Sequence, residues 1–114
     1  MVTYELAHVG INGKDEQDAL STAQAFSDLF NLGVRAGVSS TFAGKAVEVM
    51  KAPFLGEHGH IGFATPDVEA AIEDLKARGY EVDMSTAKYK DGQMTAVYLK
   101  QQIAGFAIHI MRKG

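Results

Sequence analysis

The stretch Leu6-Ala7-His8-Val9-Gly10-Ile11 is closely echoed by Gly59-His60-Ile61-Gly62-Phe63, which begins the second half of the chain. A second echo ends the two halves, at Ala46-Val47-Glu48-Val49-Met50 and at Ala107-Ile108-His109-Ile110-Met111. Each of these segments has the length and composition of a short β-strand. Because the same pair of patterns opens and closes both halves, the sequence indicates a duplicated unit, and this repeat decides the fold.

One polar residue stands out in each of the four repeated strands. Side chains in a strand alternate between its two faces, so His8 shares a face with Leu6 and Gly10, while Val9 and Ile11 share the other. The same alternation in the other three strands places each polar residue on one face and Val, Ile, Phe or Ala on the other. These repeat-equivalent polar residues predict one shared site, and they are His8, Glu48, His60 and His109.

Composition limits the kind of protein. The chain has 114 residues, of which 46% are hydrophobic and 22% charged, as in an ordinary globular domain. It has no Cys, so any metal must be bound by His and carboxylate groups. No apolar run approaches the roughly 20 residues of a membrane helix, and we expect a cytoplasmic protein without a membrane partner. A net charge of −3 with scattered lysines argues against nucleic acid as a partner.

The first module, residues 1–52, reads as a strand, a helix and further strands. We expect a strand over 3–12, then a helix capped by Asp15 that ends near residues 31–33, where Asn or Gly can adopt the left-handed conformation. Two strands follow, over 38–42 and 45–51, and a third would be short or absent.

The second module, residues 57–114, repeats this order. Thr65 is a candidate N-cap with Pro66 at the first helical position, and Gly79 ends the helix. The predicted strands cover 58–64, 81–88, 94–100 and 106–111, with a hairpin at Asp91-Gly92. The sequence therefore predicts an α+β fold in which two repeated β-α-β-β(-β) modules form a single domain, residues 1–114. The helices cover one face of each of two mostly antiparallel sheets, and we expect these two sheets to face each other and form a cleft or half-barrel.

Several segments carry a resemblance to a known superfamily. They are His60 to Phe63, Asp67 to Ala71 and Leu75 to Val82, together with Ala7 to Ile11, Phe26 to Asn31, Tyr98 to Lys100 and Ile108 to Ile110. The chain resembles the vicinal oxygen chelate superfamily, the glyoxalase, bleomycin-resistance and extradiol dioxygenase group. That resemblance implies metal ligands in the first and last strand of each module, at His8, Glu48, His60 and His109. The last position is commonly Glu in metal-dependent members, but His remains a competent ligand for Zn, Ni, Mn or Fe.

A narrower resemblance concerns the middle of the chain. Residues 42–51 and 56–60, with Ala87-Lys88-Tyr89, are similar to the glyoxalase-like domain associated with keto-hydroxyglutarate/keto-deoxy-phosphogluconate aldolase in some bacteria. The aldolase chemistry itself is excluded, because it needs a barrel of at least roughly 200 residues.

Two classes of function are compatible with these residues. In the first, the protein is a lyase or isomerase whose divalent metal chelates two neighbouring oxygens of a small oxo or hydroxy acid and stabilises an enolate. Glu48 doubles as the catalytic base. In the second, the protein is a metal-free binding or accessory module, linked to the aldolase's metabolism, in which Glu48 pairs with a protonated His.

Three further residues are assigned to the substrate, His58, Tyr98 and Lys100. Lys88 and Tyr89 could also hold an anionic substrate, although exposed strand residues of this kind are often simply solvated. The resemblance also implies a homodimer. Whether the four polar residues of one site come from one chain or from two is open at this point.

Overall fold

The computed structural model describes residues 1–114 and contains two helices and eight strands. This confirms the predicted α+β class, and the first module includes a third, short strand. The elements are β1 (Glu5–Asn12), α1 (Glu16–Phe30), β2 (Val34–Ala36), β3 (Ser40–Ala43), β4 (Val47–Met50), β5 (Gly59–Thr65), α2 (Val68–Ala77), β6 (Val82–Lys90), β7 (Gln93–Ile103) and β8 (Phe106–Arg112). Neither helix combines the length and apolar character needed to cross a membrane.

All eight strands belong to one curved sheet in the order β2-β3-β4-β1-β5-β8-β7-β6. The expectation of two separate sheets that face each other is wrong, because the antiparallel pair β1–β5 joins the two modules side by side in one sheet. The pairs β1–β4 and β5–β8 are parallel, and the others are antiparallel. Joining the first strands in this way leaves no unpaired strand edge between the modules.

The ends of α1 lie where the sequence predicts them. The Asp15 carboxylate accepts a hydrogen bond from the Asp18 backbone N–H at 2.8 Å, so it caps the first turn. At the other end Asn31 adopts the left-handed conformation with φ of 56°, and its N–H donates to the Ser27 carbonyl. An Asn in this position satisfies a helix end at little steric cost.

The predicted start of α2 is wrong by two residues. Thr65 is not the N-cap, because it still belongs to β5 and its carbonyl accepts a hydrogen bond from the Lys113 N–H at 2.8 Å. Pro66 therefore precedes the helix. The next residue able to cap, Asp67, accepts a hydrogen bond from the Ala70 N–H at 3.1 Å. Strand pairing has extended the strand past the first capping candidate.

Two tight turns connect the last three strands. The predicted hairpin at Asp91-Gly92 is confirmed, with φ of 52° and 79°. Ala104-Gly105 repeats the geometry between β7 and β8, with φ of 53° and 81°. Positive φ at both central residues is the type I′ arrangement, whose twist matches that of the strands it joins.

Both hydrophobic clusters lie where helices pack on the sheet. The cluster with α2 contains seven buried residues: Val68, Ala71, Met94, Val97, Leu99, Ile108 and Ile110. The cluster with α1 contains four: Ala19, Ala23, Ala43 and Val49. Since strand side chains alternate, the residues between these apolar ones point to the opposite side of the sheet. We call that side, which carries the four predicted polar residues, the open face.

Candidate metal centre

Strand register brings the four predicted polar residues together at the middle of the sheet. Residues paired across neighbouring strands point to the same face, so each row across the sheet can be followed directly. Two such rows cross the four central strands, Glu48–Gly10–His60 and His8–Gly62–His109. The rows are two residues apart along β1, so both lie on the open face.

Each central His ring occupies the space above a Gly of the other module. A Cβ atom on Gly10 would overlap the His60 ring, and one on Gly62 would overlap the ring of His8. The repeated pattern His-x-Gly in β1 and β5 is therefore a reciprocal arrangement. The glycine in each strand gives room to the histidine of the other.

The four side chains form a compact cluster within a single chain. Ligand atoms of His8, His60 and His109 lie within 4.8 Å of one another. His60 Nε2 is 3.2 Å from His8 Nε2 and 3.1 Å from Glu48 Oε1, and His8 Nε2 is 3.5 Å from the same oxygen. His8 and His60 are only 7% and 2% exposed. Two residues from each module thus meet in one chain, which answers the question that the sequence leaves open.

The Glu48 carboxylate is held in a fixed orientation. Ser40 Oγ donates a hydrogen bond to Glu48 Oε2 at 2.7 Å, while Oε1 faces His8 and His60. Burial acts to raise the pKa of Glu48, but hydrogen bonds from His60 and Ser40 and the charges of the two histidines outweigh it and lower the pKa. Glu48 is therefore an ionised acceptor at neutral pH.

Two of the histidines are held neutral by their surroundings. Burial lowers the pKa of His8, against the opposing attraction of Glu48. Burial also lowers the pKa of His109 to about 4, helped by repulsion from His8, His60 and Lys88 and opposed by Glu48. Neutral imidazole and ionised carboxylate are the forms that bind a metal.

The donor set fits a divalent metal ion. Nδ1 of His109 is buried without a hydrogen-bond partner, although buried polar atoms are nearly always paired. Nε2 of His8 and Nε2 of His60 are 3.2 Å apart, so the cluster also crowds two ring nitrogens that can share only one proton between them. A cation bound by imidazoles and one carboxylate removes that conflict. Zn, Ni, Mn and Fe all accept such ligands.

Tyr98 adjoins the cluster. Its ring stacks on His109 with centroids 4.3 Å apart and planes inclined by 6°, and Phe54 meets it edge-on at 6.0 Å. Burial, with repulsion from Glu48, raises the pKa of Tyr98 to about 12. The hydroxyl therefore stays protonated and can donate a hydrogen bond at the border of the site.

The other two residues assigned to a substrate have different surroundings. Lys100 Nζ lies 3.3 Å from Glu81 Oε2, and both side chains are more than half exposed. The His58 side chain is 59% exposed, with Nε2 3.6 Å from Glu57 Oε1. Neither makes a contact with the four-residue cluster, and their roles stay predictions.

Sequence reasoning missed three contributors. Ser40 was not distinguishable from any other strand serine until the β3–β4 pairing placed it beside Glu48. The sequence does show the repeated His-x-Gly spacing that includes Gly10 and Gly62. That spacing can be interpreted only when the pairing of the two strands is known. The sequence also showed no sign of the register shifts, which lie in the β1–β5, β6–β7 and β7–β8 pairs.

Comparison with known proteins places these features in a family. Residues 17–108 match the family model described as "Glyoxalase/Bleomycin resistance protein/Dioxygenase superfamily". No curated protein matches the sequence significantly.

Solved structures share the fold at low sequence identity. A hypothetical protein from Bacillus halodurans C-125 has a TM-score of 0.65 at 17% identity, covering 98% of this chain and 96% of that one. Methylmalonyl-CoA epimerase from Streptomyces coelicolor, in complex with 2-nitronate-propionyl-CoA, has a TM-score of 0.64 at 16% identity, covering 96% and 94%. The epimerase from Mycobacterium tuberculosis has a TM-score of 0.63 at 17% identity, covering 96% and 87%.

The glycine arrangement predicts the effect of one methyl group. Gly10→Ala should displace the His60 ring and weaken zinc binding by about tenfold or more, the size of effect seen when support of a metal ligand is removed. Competition with a chromophoric chelator measures this. Gly79→Ala is the control, because Gly79 has φ of 90° and no neighbour within 4 Å of the added Cβ. Gly79→Ala should lower stability without changing zinc affinity. An unchanged zinc affinity in Gly10→Ala would contradict the placement of the His60 ring over Gly10.

The lowered pKa of His109 predicts how the metal-free protein responds to acid. Between the unfolded value of 6.5 and the folded value of about 4, the unfolded chain binds more protons at this residue, so stability falls as pH falls. The loss should reach up to about 3 kcal/mol. Urea unfolding in the presence of a chelator measures it, and His109→Gln should remove this part of the pH dependence. An equal slope in both proteins would refute the burial of a neutral His109.

Proposed function

Since the chain belongs to the Glyoxalase/Bleomycin resistance protein/Dioxygenase superfamily, we propose that it is a metal-dependent lyase or isomerase acting on a small oxo or hydroxy acid. The observation that carries this proposal is the cluster itself. Three imidazoles whose ligand atoms lie within 4.8 Å, with the Glu48 carboxylate 3.1 Å from His60, form a ready donor set. Of the two reaction types in this proposal, the similarity of the fold to two methylmalonyl-CoA epimerases supports the isomerase.

The metal ligands in this proposal are His8, Glu48, His60 and His109. A divalent ion held there would chelate two neighbouring oxygens of the acid and stabilise the negative charge of an enolate. The helices and their apolar clusters lie on the other side of the sheet, so in this proposal a substrate approaches these ligands from the open face.

Glu48 has the properties of a proton acceptor as well as a ligand. One carboxylate oxygen is fixed by Ser40, and the ionised state is maintained by the lowered pKa. A carboxylate positioned beside a bound acid can take a proton from the carbon next to its carbonyl group. The Tyr98 ring stacks on His109 and its hydroxyl stays protonated, so in this proposal it donates a hydrogen bond to a substrate oxygen. We include His58 and Lys100 as more distant substrate contacts.

The second candidate is a metal-free small-molecule-binding or accessory domain linked to keto-hydroxyglutarate/keto-deoxy-phosphogluconate aldolase metabolism. One observation favours it: the 3.1 Å contact between His60 Nε2 and Glu48 Oε1 is also the geometry of a His–carboxylate hydrogen bond. For either candidate we propose a single domain over residues 1–114 in the cytoplasm, where a chain without Cys has no disulfide to lose.

We also propose a homodimer. Apolar side chains remain exposed at the end of α1 and in the following segment, and they are Leu29, Phe30, Leu32 and Val38. Contiguous exposed apolar surface is typical of an interface. The dimer is not needed to complete the site, since all four cluster residues belong to one chain. Light scattering at micromolar protein should give twice the mass of the 12.3 kDa chain, and a monomer at that concentration would contradict the dimer.

Metal content tests the enzyme proposal directly. Protein purified without a metal-binding tag and incubated with Zn, Ni, Mn or Fe(II) should retain about one ion per chain by elemental analysis. His60→Ala removes a nearly fully buried ligand and should lower affinity at least about tenfold.

His58→Ala is the matched control, because His58 is a histidine of the same module that is exposed and lies outside the cluster. It should bind metal like the parent protein. If the parent protein retains no metal, or if His60→Ala binds as tightly as His58→Ala, the metal-free candidate replaces the enzyme.

A further inference from the structure

Lys88 lies on the open face, in the row next to the one that contains His109. Ala64 pairs with Met111, Met111 with Ala96, and Ala96 with Lys88. Met111 follows His109 by two residues in β8, so the whole row shares a face with His109. This row therefore extends the site toward β6, at one edge of the sheet.

The orientation of Lys88 has independent support. Its neighbour in β6, Ala87, packs against the hydrophobic cluster beneath α2. The β6–β7 register shifts on both sides of Lys88, but the pairing of Lys88 with Ala96 and the packing of Ala87 on the helix side both place the Lys88 side chain on the open face. Its positive charge is also close enough to contribute to the lowered pKa of His109.

The Lys88 ammonium group has no acidic partner. Lys100 and Lys113 form ion pairs with Glu81 and Glu5, but Lys88 forms none. The other cation in register with the cluster is Arg35, at the opposite edge of the sheet. Its guanidinium lies 4.9 Å from the centroid of the Phe42 ring. Lys88 is thus a cation directed toward the site with its hydrogen-bonding capacity unused by the protein.

Small or flexible side chains separate Lys88 from the cluster. Ala96, the partner of Lys88, has the smallest side chain that a strand can present apart from glycine, and the next residue of the row, Met111, has a flexible one. β6 is separated from β8 by one strand, which puts their backbones on the order of 10 Å apart. The flexible four-carbon stem of lysine and a short-chain acid can together span that distance.

We propose that Lys88 binds a second anionic group of the substrate, a carboxylate or a phosphate, while the first carboxylate lies at the histidine cluster. This inference rests on the proposed function and specifies its substrate class, the dianionic 2-oxo or 2-hydroxy acids. Lys88 is a positioning residue, which fixes the remote end of the substrate and determines specificity rather than reacting itself.

Two acids with the same carbon chain provide the test. 2-Oxopentanedioate has a second carboxylate, and 2-oxopentanoate has a methyl group in its place. Calorimetric titration of zinc-loaded protein should show the dianion binding about tenfold more tightly, the effect of one charge-assisted hydrogen bond. Lys88→Gln should abolish that preference and leave 2-oxopentanoate binding and zinc content unchanged. 2-Oxo-3-(phosphooxy)propanoate, tested in parallel, distinguishes a phosphate from a carboxylate as the preferred group.

Lys76→Gln is the matched control, since it removes the same charge from α2 on the other side of the sheet. It should keep the preference, and both variants should melt at the parent temperature. If the parent protein binds 2-oxopentanoate as tightly as both dianions, or if Lys88→Gln keeps the preference, Lys88 does not bind the second group but the proposed function stands. If zinc-loaded protein binds none of the three acids, the proposed substrate class and the Lys88 inference are both wrong.

Discussion

The antiparallel pairing of β1 with β5 is the constraint on which the rest of the structure depends. Its register places His8 opposite Gly62 and Gly10 opposite His60, so each imidazole has space only because the other module supplies a glycine. A slip of one residue would turn the side chains of one strand to the other face and separate the two histidines. The same pair also makes a single sheet from two modules. One set of backbone hydrogen bonds therefore joins the modules and forms the centre of the site.

Duplication gives the site its symmetry, and one substitution removes it. Glu48 and His109 occupy equivalent places in the last strand of each module, but one is an anion and the other a neutral base. On the Glu48 side a serine orients the carboxylate. On the His109 side the neighbours are the Tyr98 ring and, one row further, a lysine. The open face is therefore negative on the Glu48 side and neutral to positive on the His109 side, so an asymmetric ligand has one favourable orientation.

Much of this arrangement was predictable from the sequence, because it follows from local periodicity. Alternation in four short strands predicted that His8, Glu48, His60 and His109 share a face, and Asp15 and Asn31 marked the ends of the first helix. What could not be predicted depends on pairing between distant segments. The β5–β8 ladder extends the strand through Thr65 and so shifts the start of α2. The register shift near Leu6 and the contact of Ser40 with Glu48 likewise arise only when strands meet.

The two candidate functions differ in what they require of the buried polar atoms. Burying an imidazole nitrogen without a partner is unfavourable by roughly 1–3 kcal/mol, a large part of the stability of a small domain. The structure leaves such an atom on His109 and crowds Nε2 of His8 against Nε2 of His60. Without a metal, two buried histidines and a half-buried one stabilise the fold less than an apolar cluster of similar volume would. A bound cation makes the crowding favourable, because lone pairs that repel one another can then point at a common charge. The physical chemistry of the cluster thus favours a site with a bound metal ion over a metal-free cluster, independently of family membership.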